Sequence, residues 1–349
     1  MQQAGDGVKR VTIRDVAGQA GVSLSSVSRV MSDHPDISPD MRQRVRASAA
    51  SLGYEPDLIA QSLRRGVTQT LGFLIGDIAN PVMADVIRGA EDNARSNGYA
   101  VMFTNSEGQA QLDEEHLRLF LRRRVDGIIL LTAETGSQAV AEALREPAVP
   151  YVVIDRDVPP ASPVGTVYAD HAMGMEAATS HLINKGHRLI ALLTGNQDLR
   201  PARERQQGFR AAFHGAGLEP PEHLIRRGSL LPGFGKAETT ALLRDVDRPT
   251  ALIAGGNRLL IGVLEALNEM NIRVGKDIAL VSCDDVDLTR LYQPPISVVK
   301  RDLYHMGQVA CDLLVERLRN KYAPVRSITL PTQFVARPSS EFAWASLAS

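Results

Sequence analysis

Between Thr12 and Met31 two short helical segments flank a single glycine, and this spacing leaves few folds open to the start of the chain. Thr12 with Asp15 three residues later is a Thr-x-x-acid start, in which the hydroxyl can cap first-turn amides and the acid favours the positive helix end. The first helix is predicted to run to about Ala20, Gly21 to supply a tight turn, and Ser23 to restart a helix through Leu24 to Met31. Val22, Val27 and Val30 are spaced to face the first helix. Two helices joined through a glycine-centred turn of about four residues have helix-turn-helix geometry. A plain packed pair in an all-α domain would share this pattern. The outer face of the second helix decides between them: Leu24, Ser25, Ser26, Ser28 and Arg29 form a short polar set around one arginine, suited to base edges and phosphates in a major groove.

Ser38-Pro39-Asp40 combines a capping serine, a proline at the first helical position and an acid in the first turn, so a third helix starts there. It carries Arg42, Arg44 and Arg46 and stops at Gly53. The arginines are either a solvated face or phosphate contacts beside the reading helix. After Tyr54-Glu-Pro56, the stretch Asp57 to Gly66 offers one short amphipathic turn, too short to be stable alone. It is therefore a conditional hinge, helical only when its apolar side is buried.

A chain of 349 residues exceeds one ordinary core, so a small module in front of a larger body is expected. The net charge of −1 conceals a mild asymmetry, because residues 1–66 hold nine Lys/Arg against seven Asp/Glu. Cys283 and Cys311 lie in no CxxC pattern, which favours free buried thiols in a reducing compartment over a disulfide or zinc site. No secretory start and no span of about 20 apolar residues is present, so a cytoplasmic protein without membrane contact is expected.

From Leu71 the period changes. Short apolar runs (Leu71–Ile75, Tyr99–Thr104, Gly127–Leu131, Tyr151–Ile154) alternate with amphipathic segments, which implies parallel strands covered by helices on both faces. A second round follows through Leu189–Leu193, Ala251–Ala254 and Ile278–Ser282. The expected fold is an N-terminal all-α helix-turn-helix domain followed by an α/β body of two doubly wound lobes. Residues 1–10 form a disordered N-terminus, 11–56 the DNA-binding domain, 57–66 the hinge, 67–340 the body and 341–349 a tail. Within the body, lobe one takes about 70–168 and 299–330, with Val298-Val-Lys300 returning the chain to it, and lobe two about 169–298 and 331–340. A cleft at the carboxyl ends of the strands is where open sheets of this kind bind ligands.

The series Thr12-Ile-x-Asp-Val-Ala-x-x-Ala-Gly-Val-Ser-x-x-Ser-Val-Ser-Arg29, followed by Gly53-Tyr-x-Pro56 and Ala60-x-x-Leu63, resembles the lac repressor (LacI) family of bacterial transcription regulators. Family-like wording continues in Ala79-Asn-Pro81, Gly186-His-Arg188, Arg205-x-x-Gly-Phe209 and Asp284-Asp285, so the resemblance spans nearly the whole chain. It implies a type I periplasmic-binding-protein-like body. It also places Leu24, Ser25, Ser28 and Arg29 in the major groove, Thr12 and Tyr54 on the DNA backbone, and Ala60 and Leu63 in the minor groove, with Arg64 anchoring phosphate. Tyr54 has the plainer reading of packing on the third helix. Asp57 departs from the usual Asn, and an acid there repels the phosphate that Asn can contact.

For the effector, the resemblance indicates Met83, Asp155, Arg203, Arg205, Asn257, Arg258 and Asp284, each in a loop after a strand or at a helix start. Each also has a plain reading, Asp284 and Asn257 as helix caps and Met83 as core. The family's aromatic pair after Asn-Pro is Val82-Met83 here, which removes a stacking platform. Its usual Asn-Asp is Asn257-Arg258, and a cation at a helix N-terminus requires an internal acid or an anion. With Arg203 and Arg205 nearby, the expected effector is acidic: a sugar acid, keto acid or phosphorylated sugar. The implied protein is a non-enzymatic, homodimeric repressor on pseudo-palindromic operator DNA, with no metal and no cofactor. The alternatives are a catabolite-type regulator controlled by a protein partner, and a sugar-binding or metabolic enzyme body. Against the enzyme, Gly233-Phe-Gly-Lys236 lacks phosphate-loop spacing and no nucleophile elbow or dinucleotide fingerprint occurs.

Overall fold

The computed structural model describes residues 11–32, 34–55, 66–132, 142, 144, 149–157 and 164–341, and the chain divides into two compact units at 68/69. In the first unit, α1 (Ile13–Ala20), α2 (Leu24–Met31) and α3 (Pro39–Leu52) pack around Val16, Val27, Val30 and Val45, which exclude solvent. The turn between α1 and α2 needs its glycine. Gly21 has φ +64°, and its neighbour Val22 donates back to the Ala17 carbonyl at 3.1 Å. Ser23 then caps α2 by accepting from the Ser26 amide. Thr12 and Asp15 close on each other at the start of α1, the threonine amide and hydroxyl both donating to the Asp15 carboxylate at 2.8 and 2.7 Å.

The second unit contains two six-stranded sheets. The first sheet uses β1 (Thr70–Ile75), β2 (Ala100–Asn105), β3 (Gly127–Leu131), β4 (Tyr151–Ile154), β5 (Gly165–Ala169) and β11 (Arg326–Leu330), in the order β11-β5-β4-β3-β1-β2 and parallel throughout. The second uses β6 (Ile190–Gly195), β7 (Ile225–Gly228), β8 (Ala251–Ala254), β9 (Ala279–Cys283), β10 (Ser297–Arg301) and β12 (Thr332–Val335). Its order is β12-β10-β9-β8-β6-β7, with only β12 antiparallel. The helices are α4 (Pro81–Ser96) and α5 (Ala110–Arg122) in the first lobe, then α6 (His171–Asn184), α7 (Arg200–Gly215), α8 (Pro232–Arg244), α9 (Asn257–Glu269) and α10 (Asp287–Leu291) in the second. α11 (Leu303–Arg319) follows. Both sheets reverse strand order beside their first strand, which places a crevice at the carboxyl ends of each.

Strand pairing corrects one expected boundary. Val298–Lys300 do not return to the first lobe: Val298 pairs with Ser282 of β9 and with Val335 of β12, and Val299 packs in the second lobe's core. The return comes after Asp302, where α11 packs Met306, Ala310 and Leu314 against β1, β3 and β4 residues, so the first lobe regains the chain from 303 rather than 299. A Val-Val pair fits either sheet; the neighbouring strand decides.

One strand and two helices, β7, α8 and the five-residue α10, are absent from the sequence reading. β7 is an edge strand with an Arg-Arg interior, and α8 begins Pro232-Gly-Phe-Gly, which reads as a turn. Gly235 is nonetheless helical, and glycine is needed there because α8 lies so close to α9 that a Cβ would stand 2.4 Å from the Leu259 carbonyl oxygen. The Gly233–Lys236 stretch is thus a first helical turn, and Lys236 pairs with Glu269. Both cysteines are free and buried. No helix among the described residues is long and apolar enough to cross a membrane.

Candidate functional site

In the first unit the outer face of α2 offers Leu24, 45% exposed, with Ser25 and Arg29 also exposed and Ser28 half-buried. Two of the α3 arginines have work inside the module. Arg44 donates to the Ala20 carbonyl at the end of α1, and Arg42 to the His34 carbonyl, each at 2.8 Å. For Arg44 a guanidinium on the carbonyl end of α1 is favourable in itself, whereas the carbonyl that holds Arg42 belongs to the loop between α2 and α3. Tyr54 is half-buried against the three-helix core, and its amide bonds the Ala49 carbonyl. Asp57, Ala60, Leu63 and Arg64 lie outside the described residues.

In the second unit a cavity of about 370 Å³ opens at the carboxyl ends of both sheets. Met83, Asp155, Arg205, Asn257, Arg258 and Asp284 all line it. Arg203 does not; it turns aside to hold Asp157 with two bonds of 2.8 Å. Val82, Met83, Leu131, Leu199, Leu230 and Leu303 give the cavity an apolar wall.

The floor is built on two aspartates in equivalent places. Asp155 follows β4 and Asp284 follows β9, and both have left-handed backbones, φ 55° and 73°. Their amides bond to the next strand, Asp155 to the Val167 carbonyl at 2.8 Å and Asp284 to the Val299 carbonyl at 2.9 Å. The short, polar Asp tolerates this conformation better than bulkier residues do. The turn swings each carboxylate off its strand end and into the crevice.

Asp155 is completely engaged. Its Oδ1 accepts from the Ala169 amide at 3.2 Å, and its Oδ2 accepts from His171 Nε2 at 2.8 Å and Arg301 Nη1 at 2.9 Å. Arg301 also donates through Nε and Nη2 to Asp284 Oδ1, at 2.8 and 2.6 Å. With Nε2 donating to a carboxylate, His171 Nδ1 is left as an acceptor, facing Arg205 Nη2 at 3.4 Å. Arg205 donates its Nη1 to the Gly255 carbonyl at 2.6 Å, while its buried Nε has no hydrogen-bond partner. Arg156 donates to the carbonyls of Thr132 and Asp155.

Burial is the largest influence on the ionisation of this floor. It disfavours charge on Asp155, but His171 and Arg301 together outweigh it and hold the carboxyl well below the usual range. For His171 burial wins and brings the ring down to about 4, so it is neutral at pH 7. Arg301 stays charged because Asp284 and Asp155 overcome its burial, whereas burial lowers Arg156 despite Asp155. The floor therefore sets three guanidiniums, Arg156, Arg205 and Arg301, against two carboxylates.

The cavity mouth is tied from lobe to lobe. Arg258, at the start of α9, pairs with Asp77 after β1, and Asn257 Nδ2 donates to Asn80 Oδ1 at 2.9 Å. The compensating group for the cation at this helix N-terminus is thus an internal acid. Asp77, Arg156, His171 and Arg301 are missing from the residues chosen by sequence. Arg156 had a usable signal, its place directly after Asp155. His171 and Arg301 had none, since their roles depend on partners up to 146 residues away.

Residues 12–57 match the model of the lacI family of bacterial regulatory proteins, and residues 179–340 match the periplasmic binding protein-like domain. The chain is 34% identical over 307 residues to the ribose operon repressor of Escherichia coli (strain K12), covering 88% of this chain and 93% of that protein. The HTH-type transcriptional repressor PurR of Photobacterium profundum is 29% identical, covering 94% and 98%. Among solved structures, the lac repressor dimer bound to operator and the anti-inducer ONPF matches with TM-score 0.83 at 27% identity, covering 95% of this chain and 99% of that one.

Proposed function

The chain belongs to the lacI family of bacterial regulatory proteins, and from that premise we propose that it is a dimeric repressor whose hold on operator DNA is switched by a small, hydroxylated, acidic metabolite in the body's cavity. It is not an enzyme. Leu24, Ser25, Ser28 and Arg29 would read bases in the major groove, with Arg29 able to make the bidentate guanine contact worth about 1–3 kcal/mol of discrimination. Thr12 and Tyr54 would lie on the backbone, and Ala60, Leu63 and Arg64 would act at the hinge. The domain limits 11–56, 57–66 and 67–340 are proposed on the same footing. Paired half-sites follow from two-fold symmetry, as in the relative whose solved structure is a dimer on operator.

The observation that carries the acidic class is the floor. Three buried or half-buried guanidiniums meet two carboxylates beside a neutral histidine. Buried charge is tolerated when paired, so a ligand carboxylate is the complement this floor lacks. Arg258 and Arg203, which first suggested an anion, are satisfied by Asp77 and Asp157 and no longer support it. Glu107 at the rim is exposed and screened. A cavity of about 370 Å³ suits a metabolite, not a protein segment. Occupancy shifts DNA affinity by as much as the ligand prefers one lobe arrangement over the other.

A second reading, a neutral pentose, is favoured by the name of the ribose operon repressor. Fluorescence anisotropy of the full-length protein on the DNA upstream of its own gene, titrated with sugar acids and with the matching neutral sugars, separates the two. The acidic reading predicts that an acid moves the DNA-binding midpoint at concentrations where its neutral counterpart does not. Response to neutral sugars alone would overturn it.

A further inference from the structure

Arg301 sits at the last position of β10, its side chain only 11% exposed, and it contributes to the cavity lining from the second sheet. Through Nε and Nη2 it occupies one oxygen of Asp284, and through Nη1 it reaches Asp155 of the first lobe. It changes the floor in two ways. It takes up acceptor capacity on both carboxylates, which would otherwise face ligand hydroxyls. It also supplies the third guanidinium: without it, Arg156 and Arg205 would balance Asp155 and Asp284.

We propose that Arg301 is the residue that sets the charge class of the effector, making a floor that would otherwise complement a neutral polyol complementary to an anion. This rests on the acidic reading given above. Electrostatics in so enclosed a space is weakly screened, so one guanidinium outweighs the few hydroxyl contacts that distinguish one sugar skeleton from another. The remaining N–H groups on Nη1 and Nη2 can donate to a ligand carboxylate, and Asp284 Oδ2, which Arg301 leaves uncovered, can accept from an adjacent hydroxyl. The floor then addresses a carboxylate and a hydroxyl side by side, the arrangement of a 2-hydroxy acid such as an aldonate.

Calorimetry on the full-length protein with two matched pairs, D-ribonate with D-ribose and D-gluconate with D-glucose, tests this through the ratio of acid to aldose affinity. Wild type is expected to favour the acid of at least one pair by tenfold or more. Arg301→Gln should bring that ratio to one or below, while Arg301→Lys, which keeps the charge, should retain a preference for the acid with weaker binding overall. Should the Gln variant fail to fold, Asp284→Asn replaces it: loss of one carboxylate must raise the ratio, whatever happens to absolute affinity. An unchanged ratio in Arg301→Gln, loss of preference in Arg301→Lys equal to that in the Gln variant, or an unchanged or lowered ratio in Asp284→Asn overturns the role of Arg301 and leaves the acidic reading standing. Wild-type protein that favours the aldoses, or binds neither acid, overturns both together.

Discussion

Asp155 and Asp284 occupy equivalent places in the two lobes, each just past a buried strand and each with a left-handed backbone, yet their surroundings differ. Asp155 accepts hydrogen bonds on both oxygens, from its own lobe's Ala169 and from His171 and Arg301 of the other. Asp284 gives one oxygen to Arg301 and keeps the other toward the cavity. One position has become a fastener between lobes and its counterpart a cavity-facing group. Equivalence of backbone does not fix role; the count of satisfied lone pairs does.

This contrast breaks most visibly in stability. Asp155→Asn leaves Arg301 and His171 with a neutral partner in a closed site, and removing one member of such a buried set costs about 3–5 kcal/mol. Denaturant unfolding of the body should show that loss, and Asp284→Asn should cost less than half as much. Equal losses would erase the distinction.

Acid sensitivity is the next largest effect. His171 has its folded value brought down to about 4 by burial, from an ordinary 6.5. Between those values the unfolded chain binds protons that the folded chain refuses, so the full contribution is present above 6.5 and is lost as pH falls toward 4. The shift corresponds to about 3 kcal/mol. His187 is brought down to about 4 in the same way, and bonds Thr250 in the second lobe. His171→Gln should therefore flatten part of the slope of stability between pH 6.5 and 4, leaving the share due to His187. An unaltered slope would mean that burial does not hold the His171 ring neutral in the folded protein.

The cavity-facing half of the comparison comes third. Asp284→Asn should weaken effector binding by one to two orders of magnitude, about 1.5–3 kcal/mol, through a lost charge-assisted bond. Calorimetry on that variant checks it. The smallest effect is at the mouth: Asp77 and Arg258 are each about one-third exposed, so Asp77→Asn should change stability by less than about 1 kcal/mol. A larger change in thermal unfolding would move the fastener from the floor to the mouth.

What could be read before the fold was known follows the range of the interactions. The helix-turn-helix was legible because capping residues and a 3.6-residue period act over a few positions, as at Thr12, Gly21, Ser23 and Ser38. The alternation of buried strands and helices was legible for the same reason. Assignment of Val298–Lys300 to a sheet was not, since that depends on Ser282 and Val335. α8 was hidden because Gly233 and Gly235, the second of them required for close approach to α9, mimic a turn. Six of the seven chosen effector residues converge on one cavity because strand ends converge, whereas Arg203 was misjudged because a helical side chain can turn to either side of its axis. The rest of the floor, His171 and Arg301, is defined by partners that only the folded sheets bring near.

The central claim, that occupancy of this floor governs DNA binding, is tested most directly by operator anisotropy on wild-type protein and Arg205→Leu, each with and without saturating sugar acid. The account predicts a ligand-dependent shift of the binding midpoint in wild type that is reduced at least tenfold in the Leu variant. A shift of the same size in both proteins would contradict it.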